Sequence, residues 1–266
     1  MAIQYFGTFP TVEYTLTKDP TDAKTVVDIT KRVGIRNDFS EYISSYYKHV
    51  VTDGRRPELY ALSAYGSILD HWILLHVNGV VDPYFDWVLD YAKFDAYMQK
   101  KYPDEVLIYD ITTISPDGKF FIIGETITGS QSSATAIVKD SNPDLGQIVY
   151  ESGPNWAVTA PVDVITGSES GASATIESTV KEYAAPKFYE VVRDNGDGSE
   201  DRLNVSRGFS DAERAKLPGG ISSWVAPVAI DNATYESRLN EENREIKMLN
   251  PGLIESFEED FKDKIQ

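Results

Sequence analysis

Between Asp53 and Pro83 the chain reads DGRRPELYALSAYGSILDHWILLHVNGVVDP, a stretch suited to two short helices with more apolar surface than one domain face can cover. Pro57 fits a first helical turn, where its missing N–H would have no partner in any case. Leu59, Leu62 and Tyr65 then recur at helical spacing, and Gly66 supplies the positive φ that ends such a helix. The run that follows, Ile68, Leu69, Trp72, Ile73, Leu75 and His76 up to Asn78-Gly79, is apolar nearly all round. A helix of that kind needs packing on several sides, and we expect its own domain and a partner chain to supply it.

With 266 residues, 41% of them hydrophobic, the chain has material for one large or two to three small cores without staples. It has no cysteine, so disulfides and thiolate metal sites are excluded, and a reducing cytoplasm is the simplest place of assembly. A net charge of −17 repels phosphate backbones, and no basic cluster interleaved with aromatics offsets it, so nucleic acid is not an expected partner. MAIQYFGTFP lacks the pattern of an export signal, and no apolar run approaches the ~20 residues of a membrane span, so no membrane is expected. Tyrosine outnumbers phenylalanine, 16 to 11, which suits surfaces covered in one state and wet in another as well as ordinary core filling.

Tyr46 to Thr52 reads as a strand leading to the Asp53-Gly54 turn signal. Past the helical pair, Tyr84, Phe85 and Trp87 form a short aromatic segment after Asp82-Pro83. Tyr91 to Lys101 reads as a helix with Phe94, Tyr97 and Met98 on one face, ended before Pro103. From about Ile114 to Glu182 the composition shifts to Gly, Ser, Thr and Val, and an internal repeat is present. Thr126-Ile-Thr-Gly-Ser-Gln-Ser-Ser-Ala-Thr-Ala136 matches Val164-Ile-Thr-Gly-Ser-Glu-Ser-Gly-Ala-Ser-Ala174 at a constant offset of 38 residues. Each copy reads as strand, turn, strand, and two such hairpins related by pseudo-symmetry would close a small sheet or barrel.

Further on, Phe188 to Val192 and Arg202 to Val205 flank the Asp194 to Asp201 loop, a hairpin turn in preference to a calcium loop, because EF-hand ligand spacing is not met. Tyr235 to Met248 is expected to be one helix, with Tyr235, Leu239, Glu242, Ile246 and Leu249 along a stripe. After Pro251-Gly252, Ile254, Phe257, Phe261 and Ile265 mark a second amphipathic helix. The expected domain limits are 1–111 for an N-terminal arm and the domain of the helical pair, 112–185 for an inserted β-rich domain, and 186–266 for a hairpin and C-terminal helices.

Catalytic signatures do not emerge. His71 and His76 stand five apart, which is not the i, i+4 spacing of a zinc helix. No G-x-S-x-G elbow, P-loop or dinucleotide glycine pattern occurs. We expect no catalytic residues, no metal and no cofactor.

Two ordered blocks carry a resemblance. Asp53-Gly54, Arg56-Pro57-Glu58-Leu59, Ala64-Tyr65-Gly66, His71-Trp72-Ile73-Leu74-Leu75, Asn78, Asp82-Pro83-Tyr84, Asp86-Trp87, Phe94, Tyr97 and Lys101-Tyr102-Pro103 resemble the small baseplate wedge protein of T-even-type contractile-tailed bacteriophages. Tyr235-Glu-Ser-Arg-Leu-Asn-Glu-Glu-Asn-Arg-Glu-Ile-Lys247 resembles that family's C-terminal helix. The helical pair with its preceding strand also resembles a LysM-type unit.

The resemblance covers about 40–105 and 186–262, and the repeat-bearing segment of about 112–185 departs from the shorter family members as an insertion. Residue patterns and resemblance together give an α+β chain with a LysM-like strand-helix-helix-strand unit, an inserted small β-rich domain with two related hairpins, and C-terminal amphipathic helices. The resemblance implies a structural subunit, present in six copies per baseplate, that clamps adjacent wedges into the six-fold ring around the hub. The implied partners are the larger core-bundle wedge subunits and the sheath-initiating wedge subunit, and the implied location is the virion tail, assembled in the host cytoplasm. Trp72, Tyr84, Phe85, Trp87, Tyr235, Leu239, Arg244 and Ile246 are the expected protein–protein interface residues, since interface cores favour aromatics and Met while rims stay charged. The competing readings are a LysM-type peptidoglycan-binding module and a tail-associated glycosidase. Removal of everything beyond about Asn232 is expected to leave the LysM-like part folded.

Overall fold

A computed structural model of the chain describes residues 5–15, 17, 20–31, 45–52, 54–84, 86–115 and 118–265. Asp53 and Phe85 lie outside the described residues. The chain divides into two compact units, residues 1–93 with 239–266 and residues 94–238.

In the first unit, strands β1 (Thr11–Tyr14) and β2 (Lys24–Val27) form a small antiparallel ribbon. Strand β3 (Tyr46–Val50) follows, then helix α1 (Pro57–Tyr65) and, after a 3-10 turn at Ile68–Asp70, helix α2 (His71–Val77). Gly66 ends α1 at φ 80° with its N–H on the Leu62 carbonyl, as the sequence leads one to expect.

The second unit begins within helix α3 (Tyr91–Lys101) and continues through β4 (Glu105–Tyr109), β5 (Thr126–Gly129), β6 (Thr135–Ile137), β7 (Asp140–Asn142), β8 (Gln147–Tyr150), β9 (Val164–Gly167) and β10 (Ser173–Lys181). It ends with β11 (Pro186–Asp194), β12 (Glu200–Val205), β13 (Val228–Asp231) and the first part of helix α4 (Asn232–Glu242). The chain then returns to the first unit as β14 (Glu245–Leu249) and helix α5 (Ile254–Ile265).

Strand β14 corrects the expectation of one long helix over Tyr235 to Met248. Its five residues pair antiparallel with β3, from Glu245 opposite Val50 to Leu249 opposite Tyr46. Residues far apart in sequence make this pairing, and a non-local partner overrides a local helical pattern. The first unit therefore runs strand, helix, helix and, after the whole second unit, closing strand.

Two clusters fill its core. Leu74 joins Val51, Tyr60, Trp87, Val88, Ile246 and Met248 in one, while Trp72 and Ile73 join Phe9, Leu249, Phe261 and Ile265 in the other. Helix α2 is thus covered on both sides by its own chain, and α5, expected to look for a partner, lies against Trp72. Deleting the residues beyond Asn232 would remove β14 and α5 from this core, so the truncated chain is expected to unfold in its first unit, contrary to the reading from sequence.

In the second unit the strand order is β6-β5-β9-β10-β4-β8-β7. Its edges β6 and β7 are separated only by Val138 and Lys139, so the sheet must curl until its two edges adjoin. Strand β4 is a central member, so the sheet starts earlier than the 112–185 limits drawn from composition. The two repeats meet where Thr128 faces Thr166 across β5 and β9, which places a pseudo-two-fold axis at equivalent residues of the copies. Alternation buries Ile127 and Ile165 with Leu107, Tyr109, Ile148, Tyr150 and Ile176.

Each copy also caps the other. Asp163, just ahead of the second repeat, accepts hydrogen bonds from the Gln131 and Ser132 N–H groups (2.6 and 2.9 Å) and the Ser132 hydroxyl in the first. Glu125, just ahead of the first, accepts from the Glu169 and Ser170 N–H groups (3.0 Å each) and the Ser170 hydroxyl in the second. Gly129 and Gly167 make room, since a Cβ there would sit 2.7 Å from Asp163 and 2.5 Å from Glu125. Burial opposes ionisation of both carboxyls, but the turn donors outweigh it and hold both below their ordinary range.

Gly129→Ala or Gly167→Ala should therefore destabilise the second unit by about 1–3 kcal/mol in urea unfolding. A carboxyl whose folded value lies below its unfolded one contributes stability that is complete above the ordinary carboxylate range. That stability is lost as pH falls through the lowered values. Acid unfolding of the second unit should follow this course, and Glu125→Gln with Asp163→Asn should flatten it. A pH profile unchanged in the double variant would contradict the reciprocal caps.

Candidate protein-protein interface

The two sequence blocks that carry the resemblance pack together within each unit. In the first, Asn78 at the end of α2 donates through Nδ2 to the Lys247 carbonyl and accepts from the Lys247 N–H, at 2.8 and 2.7 Å. Arg244 donates to the Val51 carbonyl at 3.1 Å and grips Glu241 at 2.8 and 2.9 Å. Asn240 does the same service for Leu89, accepting its N–H at 2.7 Å and donating to its carbonyl at 3.1 Å.

In the second unit, Glu236 is buried among three donors, Lys101 and Tyr102 at 2.7 Å and Tyr97 at 3.0 Å. Desolvation works against its charge, yet Lys101 and the two hydroxyls prevail and keep it below the ordinary glutamate range. Glu190, likewise buried, takes both terminal nitrogens of Arg238 at 2.8 and 2.9 Å and Arg202 at 2.7 Å.

Among the expected interface residues, the structure seals Trp72, Trp87 and Ile246 inside the first unit, at 6%, 6% and 3% exposure. Trp72 stacks on Phe261, Tyr5 and Phe257 with centroids 4.8, 5.4 and 6.0 Å apart. Trp87 donates its indole N–H to the Arg55 carbonyl at 3.1 Å, and Ile246 belongs to β14. These three side chains serve the chain's own core. Tyr235 is half-buried in the second unit, edge-on to Phe188 at 6.0 Å with Lys187 over its ring at 4.4 Å. Leu239 is on the exposed side of α4, and Arg244 is half-buried.

Tyr84 is different, because it stands 82% exposed on a loop that two carboxylates hold in shape. Asp82 accepts the Tyr84 N–H at 2.9 Å, and Asp86 accepts the N–H groups of Val81 and Asp82 at 3.0 and 2.8 Å. The brace presents Val81 and Tyr84 to solvent together.

The helical pair exposes a second apolar set. Leu59 and Leu62, which recur at helical spacing along α1, are about half exposed, as are Ile68 and Leu69 in the following turn, while Tyr60 and Ala61 turn inward. Helix α1 is apolar on several faces, so spacing alone did not select the one that is buried. The signal was the count: α1 holds more large apolar residues than one face accommodates.

Among the described residues no group of three or more His, Asp or Glu is placed to hold a metal ion, and no helix is long and apolar enough to cross a membrane. In the Asp194–Asp201 loop Asp194 accepts the Gly196 N–H and Asp197 the Ser199 N–H, both at 2.8 Å, while Glu200 and Asp201 pair with Arg202 and Arg193.

Trp72→Ala should cost about 3–5 kcal/mol in thermal or urea unfolding of the isolated chain, as loss of a packed core aromatic does. Tyr84→Ala should change stability by less than about 0.5 kcal/mol. Equal effects of the two substitutions would contradict this division between core and surface.

Comparison with known proteins places these features. No curated protein matches the chain. Residues 4–105, which include the ribbon, β3, both helices of the pair and the Tyr84 loop, match the family described as base plate wedge protein 53. That family is a structural one, whose members work with other components of the virion tail baseplate. Over residues 4–105, less than half of its length, the chain is similar to that phage baseplate wedge family.

Proposed function

We propose that the chain joins adjacent wedges into the closed ring of a contractile-tail baseplate, holding them by apolar contacts made from its first unit. The observation that carries this reading is the exposed apolar surface within the family-matched segment: Leu59, Leu62, Ile68 and Leu69 on the helical pair, and Val81 and Tyr84 on the braced loop. Such surface costs free energy in a free subunit and is repaid when another chain covers it. A braced tyrosine adds contact area at little entropic cost, which is the character of an interface anchor. A subunit that touches two wedges in a closed ring gains effective concentration for its second contact, so each contact is allowed to be modest.

The occupants implied by the resemblance are the larger wedge subunits with a helical core and the sheath-initiating subunit, with six copies of this chain per ring. Mixing the purified chain with the remaining wedge proteins and counting six-fold rings by electron microscopy tests the reading. Rings should form only when the chain is present, and Tyr84→Ala or Leu62→Asp should lower their yield while leaving the melting temperature of the free chain in place. Equal ring yield without the chain would remove the joining role.

A second reading draws on the strand-helix-helix-strand order of β3, α1, α2 and β14, which is that of a LysM-type peptidoglycan binder. Salt-resistant pelleting of the chain with cell-wall sacculi would favour it over the clamp.

A further inference from the structure

The β1–β2 ribbon has no core of its own. All eight of its residues are exposed, including Val12, Tyr14, Val26 and Val27. A two-stranded ribbon without a packed face is only marginally stable in water. The cross-strand pairs Val12–Val26 and Tyr14–Lys24 share one face, so Val12, Val26 and Tyr14 make that side largely apolar.

The hydrogen-bond register shows where the ribbon is open. Asp28 N–H donates to the Pro10 carbonyl at 2.8 Å, which makes residues 10 and 28 a hydrogen-bonded pair. Pairs alternate along an antiparallel ladder, so 12 with 26 and 14 with 24 are also of the bonded kind, and 11, 13, 25 and 27 point their main-chain groups outward. Edge β1 thus presents the N–H and C=O of both Thr11 and Glu13. Edge β2 is less complete, because the Ile29 N–H has taken the Val27 carbonyl at 3.0 Å.

We propose that β1 is a docking edge, and that an extended segment of a neighbouring baseplate subunit adds to it as a third strand. The proposal rests on the baseplate reading above and names the kind of contact made there. The occupant is a different subunit and not a second copy. Four residues of edge bury only a small part of the ~1,200 Å² that a stable pair of chains needs, so the added strand must be held by further contacts of a larger assembly. A second copy would also bring the same net charge of −17 to the contact. Glu13, the one charged residue of β1, selects a strand with a lysine or arginine beside it, while Val12 and Tyr14 select apolar side chains on the other face.

Hydrogen exchange of the full chain, free and within purified tails, tests the edge directly. Exchange at Thr11 and Glu13 should slow at least about tenfold on assembly, roughly the effect of one hydrogen bond gained per amide. Glu13→Pro removes an outward N–H and leaves the ribbon's internal bonds intact. It should lower incorporation into tails about tenfold, whereas Thr25→Pro on the opposite edge should leave it unchanged. Unchanged exchange at Thr11 and Glu13 in tails that contain the chain would overturn the proposal, as would slowing confined to Thr25 and Val27 or normal incorporation of Glu13→Pro. Absence of the wild-type chain from purified tails would instead overturn the baseplate reading, so the two failures are distinct.

Discussion

The pairing of β3 with β14 is the contact on which the first unit depends. It joins Tyr46–Val50 to Glu245–Leu249, and in doing so makes the entire second unit a loop within the first. Closing a long flexible loop costs little more than closing a shorter one, about 0.6 kcal/mol per doubling of length, and a folded insertion changes that only modestly. What must be supplied is a tight seam, and polar side chains supply it. Asn78 brackets Lys247 on both main-chain groups, the Tyr65 hydroxyl accepts the Leu249 N–H at 2.9 Å, and Arg244 caps the Val51 carbonyl. With β14 in place, Ile246 and Met248 complete one core cluster, Leu249 the other, and α5 covers Trp72.

How much of this was legible in the sequence follows from which signals are local. Helices α1, α3 and α5 stand where Pro57, Gly66, Pro103 and the Ile254 to Ile265 stripe put them, because caps, breakers and amphipathic spacing act within a few residues. The 38-residue repeat announced two related hairpins, and they meet on a pseudo-two-fold axis. The exchange of carboxylates between the copies was not legible, because Glu125 and Asp163 each act on a turn more than thirty residues away. Strand β14 was missed for the same reason, since EIKML follows a helical pattern and owes its conformation to β3.

The candidate interface was legible in kind more than in residue. A nearly all-apolar α2 pointed to heavy packing, and the packing proved to be α5 and the N-terminal Phe9 of the same chain. Trp72, Trp87 and Ile246 are therefore core, while Leu59, Leu62, Ile68, Leu69, Val81 and Tyr84 are among the exposed apolar groups. Aromatic content alone does not separate these two uses, because rings serve cores and interfaces equally well. What separates them is whether a second segment of the chain arrives to cover the ring, and that is a property of the folded molecule.

The first unit keeps its core closed with β14 and α5 and leaves separate apolar side chains exposed, the ones that the proposed function gives to neighbouring subunits. Oxidative footprinting of the chain, free and in assembled tails, tests that division most directly. Tyr84, Leu59 and Leu62 should label in the free chain and become protected in tails, with Trp72 and Trp87 protected in both. Equal labelling of Tyr84 and the two leucines before and after assembly would contradict the account.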